Sequence, residues 1–215
     1  MTTILACGDS NTWGARPMPP GAKASRFPHG QRWPVVMAKA LGEEVTVIAE
    51  GLNGRTTCVD DPVEGRHKNG ETHLLACLES HMPLDLVIVM LGTNDLKARF
   101  GLPPSDIAVG AGRLVRLAQQ SGCGPGGAAP RVLLACPAAL ATLTRFAEMF
   151  EGAREKSLRL APVYREVAAS LGAAFVDVGS HIVSSEIDGI HLDAGEQVKL
   201  GEGMALVVRE VLGMA

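Results

Sequence analysis

Residues 85–95 read DLVIVMLGTND, an unbroken apolar run that ends in a glycine and three polar side chains. A short, continuous run rich in Val, Ile and Leu is typical of a strand that is covered on both faces of a parallel sheet. The predicted strands are 3–7, 45–49, 85–91, 131–136 and 173–178. Segments of helical periodicity lie between or after them, at 31–41, 71–81, 105–121, 151–171 and 195–212. This alternation predicts an α/β protein with three layers, α/β/α, around a five-stranded parallel sheet of flavodoxin-like order 2-1-3-4-5.

Composition narrows the function classes. The chain has 215 residues, of which 47% are hydrophobic, with 20 basic and 23 acidic side chains and a formal charge of -3. A single globular domain spanning 1–215 is expected at this length. The lack of a basic excess argues against a nucleic-acid partner, and the lack of a long apolar stretch argues against a membrane. The five cysteines show no CxxC spacing, which favours free thiols in the cytoplasm over a disulfide framework or a zinc ribbon.

The first predicted strand is followed by GDSNTWG, residues 8–14. A serine at such a strand-to-helix turn has its hydroxyl exposed at the carboxyl edge of the sheet, and the helix start favours developing negative charge. Ser10 is therefore a candidate nucleophile. The same residues are also ordinary turn and helix-capping chemistry, so this segment alone does not decide between the two.

The last predicted helix is preceded by DGIHLD, residues 188–193. A serine hydroxyl is a poor nucleophile unless an imidazole accepts its proton, and the imidazole in turn needs a carboxylate to fix its tautomer. His191 and Asp188 can meet across this short turn. The alternative is a surface histidine beside a turn-forming aspartate.

Two further segments follow strand ends. Asn94, in GTND, can aim its side-chain amide at an oxyanion, or it can satisfy the loop backbone instead. EGLNGRTT, residues 50–57, contains Gly51 and Gly54, which permit the positive φ angles that turn backbone N–H groups into a pocket. All four segments lie at the one edge where this fold builds its sites.

Together these segments resemble the four conserved blocks of the SGNH hydrolases, also called the GDSL esterase/lipase family. The blocks occur in order at 8–10, around Gly54, at 92–95 and at 188–191, and they span nearly the whole chain. The stretches GDSxTWG, GLxxRTT, DDP and PLDLVIxMLGTND are most similar to the arylesterase/acyltransferase subgroup.

The resemblance implies the SGNH hydrolase fold and a role for each matching residue. Ser10 would be the nucleophile, His191 the general base and then acid, and Asp188 the residue that orients His191. The oxyanion hole would comprise the backbone N–H groups of Ser10 and Gly54 and the side-chain amide of Asn94.

The chain departs from the family pattern at two positions. Asn11 stands where the GDSL name has Leu, a change we expect to be without consequence because the position is outside the catalytic set. Ala15 follows Gly14 where an aromatic is expected at the pocket entrance, which leaves the subgroup's alcohol and acyl preferences open.

Residues near these blocks are candidates for substrate contact. Lys97 and Arg55 can touch a polar substrate or remain solvated. Six of the eight aromatic residues follow strands one, three and four, which indicates a pocket rim or a subunit contact in a homo-oligomer. The six are Trp13, Phe27, Trp33, Phe100, Phe146 and Phe150. The predicted substrate-binding residues are Trp13, Thr93, Lys97, Phe150 and Ile190.

The sequence thus predicts a serine esterase for short acyl esters of aryl or alkyl alcohols, with acyl transfer to alcohols or peroxide as a further activity that the subgroup suggests. No cofactor and no metal are expected, since the remaining histidines lack recognised ligand spacing. Three alternatives stay open: a carbohydrate O-acetyl esterase of the same family, a noncatalytic binding domain, and a metal-dependent phosphoesterase. The last would use Asp9, Asn94, Asp95, Asp188 and His191 as ligands.

Overall fold

The computed structural model describes residues 1–214 and contains a five-stranded parallel sheet of order β2-β1-β3-β4-β5. The predicted strand number, direction and order are confirmed. Each strand lies within two residues of its predicted bounds. The strands are β1 (Thr2–Gly8), β2 (Val45–Gly51), β3 (Leu86–Met90), β4 (Arg131–Cys136) and β5 (Ala174–Asp177).

Helices cover both faces of the sheet. They are α1 (Ser10–Trp13), α2 (Trp33–Leu41), α3 (Gly70–His81), α4 (Pro104–Gln120), α5 (Ala153–Ser157), α6 (Leu160–Ser170) and α7 (Ala194–Leu212). The single helix predicted at 151–171 is wrong, because the chain breaks into α5 and α6 at 158–159. Pro162 explains the break: it has no N–H to donate to the carbonyl of Leu158, so it is accommodated only in the first turn of a new helix.

Side chains alternate across the sheet and build one apolar layer on each face. Leu5, Val87 and Val89 pack toward α3, α4 and α6, whereas Ile4 and Ile88 pack toward α2 and α7. This alternation follows from the two-residue period of a strand. Both faces of the sheet are therefore covered, as the apolar strands predicted.

The aromatic residues do not all gather at the rim. Trp33 is fully buried in the layer of α2 and α7, so the prediction that it lies at a pocket rim or subunit contact is wrong. Phe27 is also buried, with the Arg16 guanidinium 5.2 Å from its ring centre. Phe146 and Phe150 follow β4 and approach the carboxyl edge of the sheet, where they become part of the site described below.

All five cysteines are free thiols, and four of them are buried. Burial raises the pKa of the Cys77 thiol to about 12, so this group is neutral at physiological pH. None of the helices within residues 1–214 combines the length and the apolarity that crossing a membrane requires.

Candidate active site

Ser10 lies at the start of α1, two residues after the end of β1. The Asp9 carboxylate caps this short helix by accepting a hydrogen bond from Asn11 N at 2.9 Å. Gly8 makes the turn possible, because a side chain there would collide with Thr12 Oγ1 and approach the carbonyl of Met90 to 3.0 Å. The turn holds the Ser10 side chain, which is only 7% exposed, against a cavity at the carboxyl edge of the sheet.

His191 connects the Ser10 hydroxyl to a buried carboxylate. Its Nε2 lies 3.1 Å from Ser10 Oγ, and its Nδ1 lies 2.7 Å from Asp188 Oδ2. Asp188 is fully buried and His191 is 5% exposed. This geometry fixes the tautomer: Nδ1 donates to the carboxylate, so Nε2 is free to accept the serine proton.

Asp188 is held ionised by its hydrogen bonds. Burial by itself raises the pKa of this carboxyl. The hydrogen bonds from the His191 side chain and from the backbone N–H groups of His191 and Ile190 lower the pKa by more than burial raises it, so the result is about 2. Oδ1 accepts from Ile190 N at 3.0 Å and from His191 N at 2.9 Å. Oδ2 accepts from Met18 N at 2.8 Å. A permanently charged Asp188 stabilises an imidazolium at His191.

Three residues that line the same cavity, Ser10, Gly54 and Asn94, carry N–H donors. Gly54 has a φ angle of +79°, and its N–H has no hydrogen-bond partner in the part of the chain that the structure describes. The Ser10 N–H is one of the first amides of a helix, which have no intrahelical acceptor. Asn94 donates one hydrogen of its amide to the carbonyl of Arg55 at 3.0 Å, which leaves the second hydrogen available. The arrangement suits a negatively charged oxygen.

The cavity has a volume of about 300 Å³ and two chemically different sides. The segment after β4 supplies an apolar side, with the Phe146 ring edge-on to His191 at a centroid distance of 6.1 Å. Polar lining residues, among them Asn53, Glu64 and Lys97, come from the segments after β2 and β3. The lining residues are Ser10, Met18, Ala24, Asn53, Gly54, Glu64, Asn94, Lys97, Arg145, Phe146, Met149, Phe150, Ile190 and His191.

Three of the predicted substrate-binding residues, Lys97, Phe150 and Ile190, line this cavity. Lys97 is 2% exposed, and its Nζ lies 2.5 Å from Glu64 Oε1 and 3.3 Å from Asp61 Oδ2. The hypothesis of a solvated Lys97 side chain is therefore wrong.

The other two, Trp13 and Thr93, do not line the cavity. The Trp13 ring faces the Arg26 guanidinium at 4.6 Å, and Thr93 is buried beside Asp9 with its hydroxyl bonded to that carboxylate. Arg55 is buried as well and donates to the carbonyl of Gly8 at 3.1 Å. Its role is structural rather than substrate contact.

Asn11, which the sequence interpretation set aside, joins the two halves of the site. Its Nδ2 donates to the carbonyl of Ile190 at 3.2 Å, and its Oδ1 accepts from Leu192 N at 3.2 Å. These two bonds flank His191 on both sides. The only signal in the sequence was the departure from Leu at this position, and its meaning depends on a loop almost 180 residues away.

The residues proposed as ligands of a phosphoesterase metal have other partners. The Asp95 carboxylate accepts from Thr57 N at 3.0 Å and Thr57 Oγ1 at 2.5 Å, and burial raises its pKa to about 6. Asp9 caps α1, and Asp188 holds His191. Within residues 1–214, these carboxylates do not form a metal-ligating cluster.

The fold and the site together define a hydrolase of the serine type. The model of the GDSL-like lipase/acylhydrolase family matches residues 6–197. The aryl esterase of M. smegmatis is 43% identical with a TM-score of 0.94, and the match covers 98% of this chain and 100% of that one. A carbohydrate acetylesterase from Sinorhizobium meliloti is 41% identical, with the same TM-score and coverage. The sequence has no match among curated proteins.

The chain therefore belongs to the GDSL-like lipase/acylhydrolase family. It is a carboxylic ester hydrolase with the SGNH fold, which confirms the predicted fold and enzyme class.

Proposed function

We propose that the protein hydrolyses short-chain acyl esters through an acyl-enzyme on Ser10. The observation that carries this proposal is the hydrogen-bonded line from Ser10 Oγ to His191 Nε2 and from His191 Nδ1 to Asp188, at 3.1 and 2.7 Å. This line opens into a cavity that Gly54 and Asn94, which carry further N–H donors, also line.

In the first half of the reaction, His191 Nε2 accepts the Ser10 proton while Oγ attacks the ester carbonyl. The carbonyl oxygen becomes negatively charged and is stabilised by the N–H groups of Ser10, Gly54 and Asn94. His191 then gives its proton to the departing alcohol. In the second half, His191 takes a proton from the water that attacks the acyl-enzyme, and it returns this proton to Ser10 Oγ as the acid is released.

The size of the cavity supports a short acyl group. Its volume of about 300 Å³ is at the lower end of the range of about 300 to 1,000 Å³ that small-molecule sites occupy. The apolar side of Phe146, Phe150 and Ile190 suits an aryl or alkyl group.

A second candidate is a carbohydrate O-acetyl esterase, favoured by the polar side of the cavity. The buried Lys97 and the partly exposed Glu64 form an ion pair there, and the nearby Asn53 Oδ1 is buried without a hydrogen-bond partner in the described chain. Such groups can bind sugar hydroxyls. Turnover of phenyl acetate and of an acetylated sugar by Glu64→Gln decides between the two: selective loss on the sugar supports this candidate, and equal effects on both argue against it.

The remaining parts of the proposal rest on the family resemblance and on the thiols. We infer that residues 1–215 act as a single catalytic domain, that the acyl-enzyme also transfers its acyl group to alcohols or peroxide, and that the chain forms a homo-oligomer. Five free cysteines support a reducing, cytoplasmic location. Product analysis in mixed water and alcohol tests acyl transfer, and sedimentation velocity tests the oligomeric state.

The decisive experiment compares wild type with Ser10→Ala on phenyl acetate and maps the adduct of a fluorophosphonate by mass spectrometry. We expect the adduct on Ser10 and a loss of turnover of at least a thousandfold in the variant. Equal turnover in both proteins, or an adduct on another residue, would overturn the assignment.

A further inference from the structure

One face of α3 carries three potential metal ligands at four-residue intervals: His73, Cys77 and His81. Residues four apart lie above one another on a helix, so these side chains form a single row. Glu50, near the end of β2, faces this row. Its Oε2 lies 3.3 Å from His73 Nε2, and its Oε1 lies 3.5 Å from His81 Nε2.

The ligand atoms of Glu50, His73 and Cys77 all lie within 4.8 Å of one another. In a tetrahedral zinc site with bonds of about 2.0 to 2.3 Å, neighbouring ligand atoms are separated by roughly 3.3 to 3.8 Å. Side-chain adjustments of about an ångström therefore bring these atoms to ligating distance. His81 lies outside this close group, but its Nε2 is 3.5 Å from the second oxygen of the same carboxylate, so it becomes the fourth ligand after a larger movement than the other three.

The cluster is also accessible. The side chains of His73, His81 and Glu50 are 40%, 33% and 29% exposed, whereas Cys77 is buried beneath them. A cation can thus enter from solvent through the exposed ligands and reach the buried sulfur, which satisfies the need for an entry path.

We propose that Glu50, His73, Cys77 and His81 bind one Zn²⁺ ion. Two imidazoles, a thiolate and a carboxylate are the donor set of zinc, and a thiolate with imidazoles disfavours Mg²⁺ and Ca²⁺. On binding, the Cys77 S–H bond breaks, its proton passes to solvent and the sulfur bonds the metal. The carboxylate and the thiolate then balance the charge of the cation.

Charge balance matters because a buried cation lies close by. Arg55 Nη1 donates to the backbone carbonyl of Glu50 and lies 3.8 Å from Cys7 Sγ. With two anionic ligands, the zinc complex is neutral overall, so Arg55 does not repel it. None of the four proposed ligands lines the cavity of Ser10, so the site is independent of the proposed esterase chemistry.

The sequence interpretation assigned no metal role to His73 or His81, because their spacing matches no recognised zinc motif. The cluster becomes visible only when the helix places the two histidines and Cys77 on one face and the sheet brings Glu50 to them. The fourth ligand is more than 20 residues away in the sequence.

The test uses the full chain, freed of metal by a chelator and then titrated with ZnCl₂ by calorimetry and with CoCl₂ by absorption spectroscopy. We expect one equivalent of Zn²⁺ to bind. We also expect a near-ultraviolet thiolate-to-cobalt charge-transfer band, which only a cysteine ligand produces. His73→Gln and His81→Gln should each weaken Zn²⁺ binding at least tenfold, and Cys77→Ser should abolish the cobalt band.

His181→Gln is the matched control, because His181 is exposed and belongs to another part of the fold. It should bind Zn²⁺ like wild type. Equal affinities of His73→Gln and His181→Gln, or a wild-type protein without the cobalt band, would overturn the proposal. Should Cys77→Ser fail to fold, the half-exposed His73→Gln still decides the outcome.

Discussion

Asn11 joins the turn that carries Ser10 to the loop that carries His191. Its side chain donates to the residue before the histidine and accepts from the residue after it, at 3.2 Å in both cases. A Leu at this buried position is larger and has neither donor nor acceptor. The Asn therefore acts as a positioning residue, which orients the general base without touching substrate.

Replacing Asn11 by Leu leaves the Ile190 carbonyl and the Leu192 N–H buried without their partner. We expect a loss of about 1 to 3 kcal/mol in the free energy of unfolding and a decrease in kcat with little change in KM. Urea unfolding and steady-state kinetics on phenyl acetate measure both quantities.

Thr12→Val is the matched control for this variant. The Thr12 hydroxyl is buried at the next position and has no hydrogen-bond partner in the described chain, so its removal should be neutral or stabilising. If both variants behave alike, the Asn11 bonds do not position His191.

Asn94 is the one proposed oxyanion donor that a side-chain substitution can remove. We expect Asn94→Ala to reduce kcat by a factor of about 100 to 1,000, or about 3 kcal/mol, because one N–H donor to the tetrahedral oxygen is lost. The lost bond to the Arg55 carbonyl should cost about 1 kcal/mol of stability. The variant should still react with a fluorophosphonate at Ser10, although more slowly. Unchanged kcat in a folded variant would remove Asn94 from the oxyanion hole.

At the scale of secondary-structure elements, helix α7 packs closely against α2 at Gly201. An added Cβ there would lie 2.5 Å from Val36 Cβ and 2.7 Å from the carbonyl oxygen of Trp33. Two residues further along the same helix, Gly203 faces open space. The two glycines therefore have opposite roles in one helix.

We expect Gly201→Ala to destabilise the protein by pushing α7 away from α2, where backbone cannot yield. Gly203→Ala should instead stabilise it by about 0.5 to 1 kcal/mol, because alanine loses less backbone entropy in a helix interior. Thermal unfolding of the two variants provides the comparison. A Gly201→Ala variant as stable as Gly203→Ala would contradict the close packing of the two helices.

The strands could be predicted most accurately, because a short continuous apolar run such as 86–90 is typical of a strand in a sheet that is covered on both faces. The ends of the helices could be predicted less accurately. The division of 151–171 into α5 and α6 depends on Pro162, which disrupts a helix interior. The apolar periodicity of the segment continues across this proline and therefore predicts one helix.

At the scale of the whole molecule, the proximity of the proposed catalytic residues could be predicted because parallel strands bring their carboxyl ends to one edge. Ser10, Asn94 and His191 meet there, as expected. The cavity wall could not be predicted in the same way. Thr93 is adjacent to Asn94 yet points to Asp9, and Trp13 packs on Arg26, because loop side chains follow local partners rather than a repeating pattern.

The carboxyl groups predict how stability depends on pH. Burial raises the pKa of Asp9 and that of Asp95, the latter to about 6. At a pH between the usual value of 3.8 and these raised values, the two groups bind protons in the folded protein that they release on unfolding. Stability should therefore rise as pH falls from about 6 toward 4. Hydrogen bonds lower the pKa of Asp61 and Asp188 below the usual value of 3.8, despite burial, so their contribution is lost as pH falls further.

We expect the free energy of unfolding to pass through a maximum near pH 4 to 5, measured by urea denaturation at a series of pH values. Asp95→Asn removes one contribution to the rise, which amounts to about 2 kcal/mol between pH 6.5 and 4. The stability difference between wild type and this variant should shrink as pH increases over that range. A constant difference would mean that Asp95 is ionised in the folded protein throughout.

The loop between α4 and β4 divides the chain with respect to the site. Ser10, Gly54 and Asn94 precede it, whereas Asp188 and His191 follow it, and residues 125–129 at its tip are exposed. A nick between Gly126 and Gly127 would separate the proposed nucleophile and oxyanion donors from the proposed base. Each fragment alone would have no esterase activity. Ester turnover would therefore report reassembly of the two fragments along the β3–β4 pairing. The protein is thus a natural starting point for a split-enzyme sensor of molecular proximity.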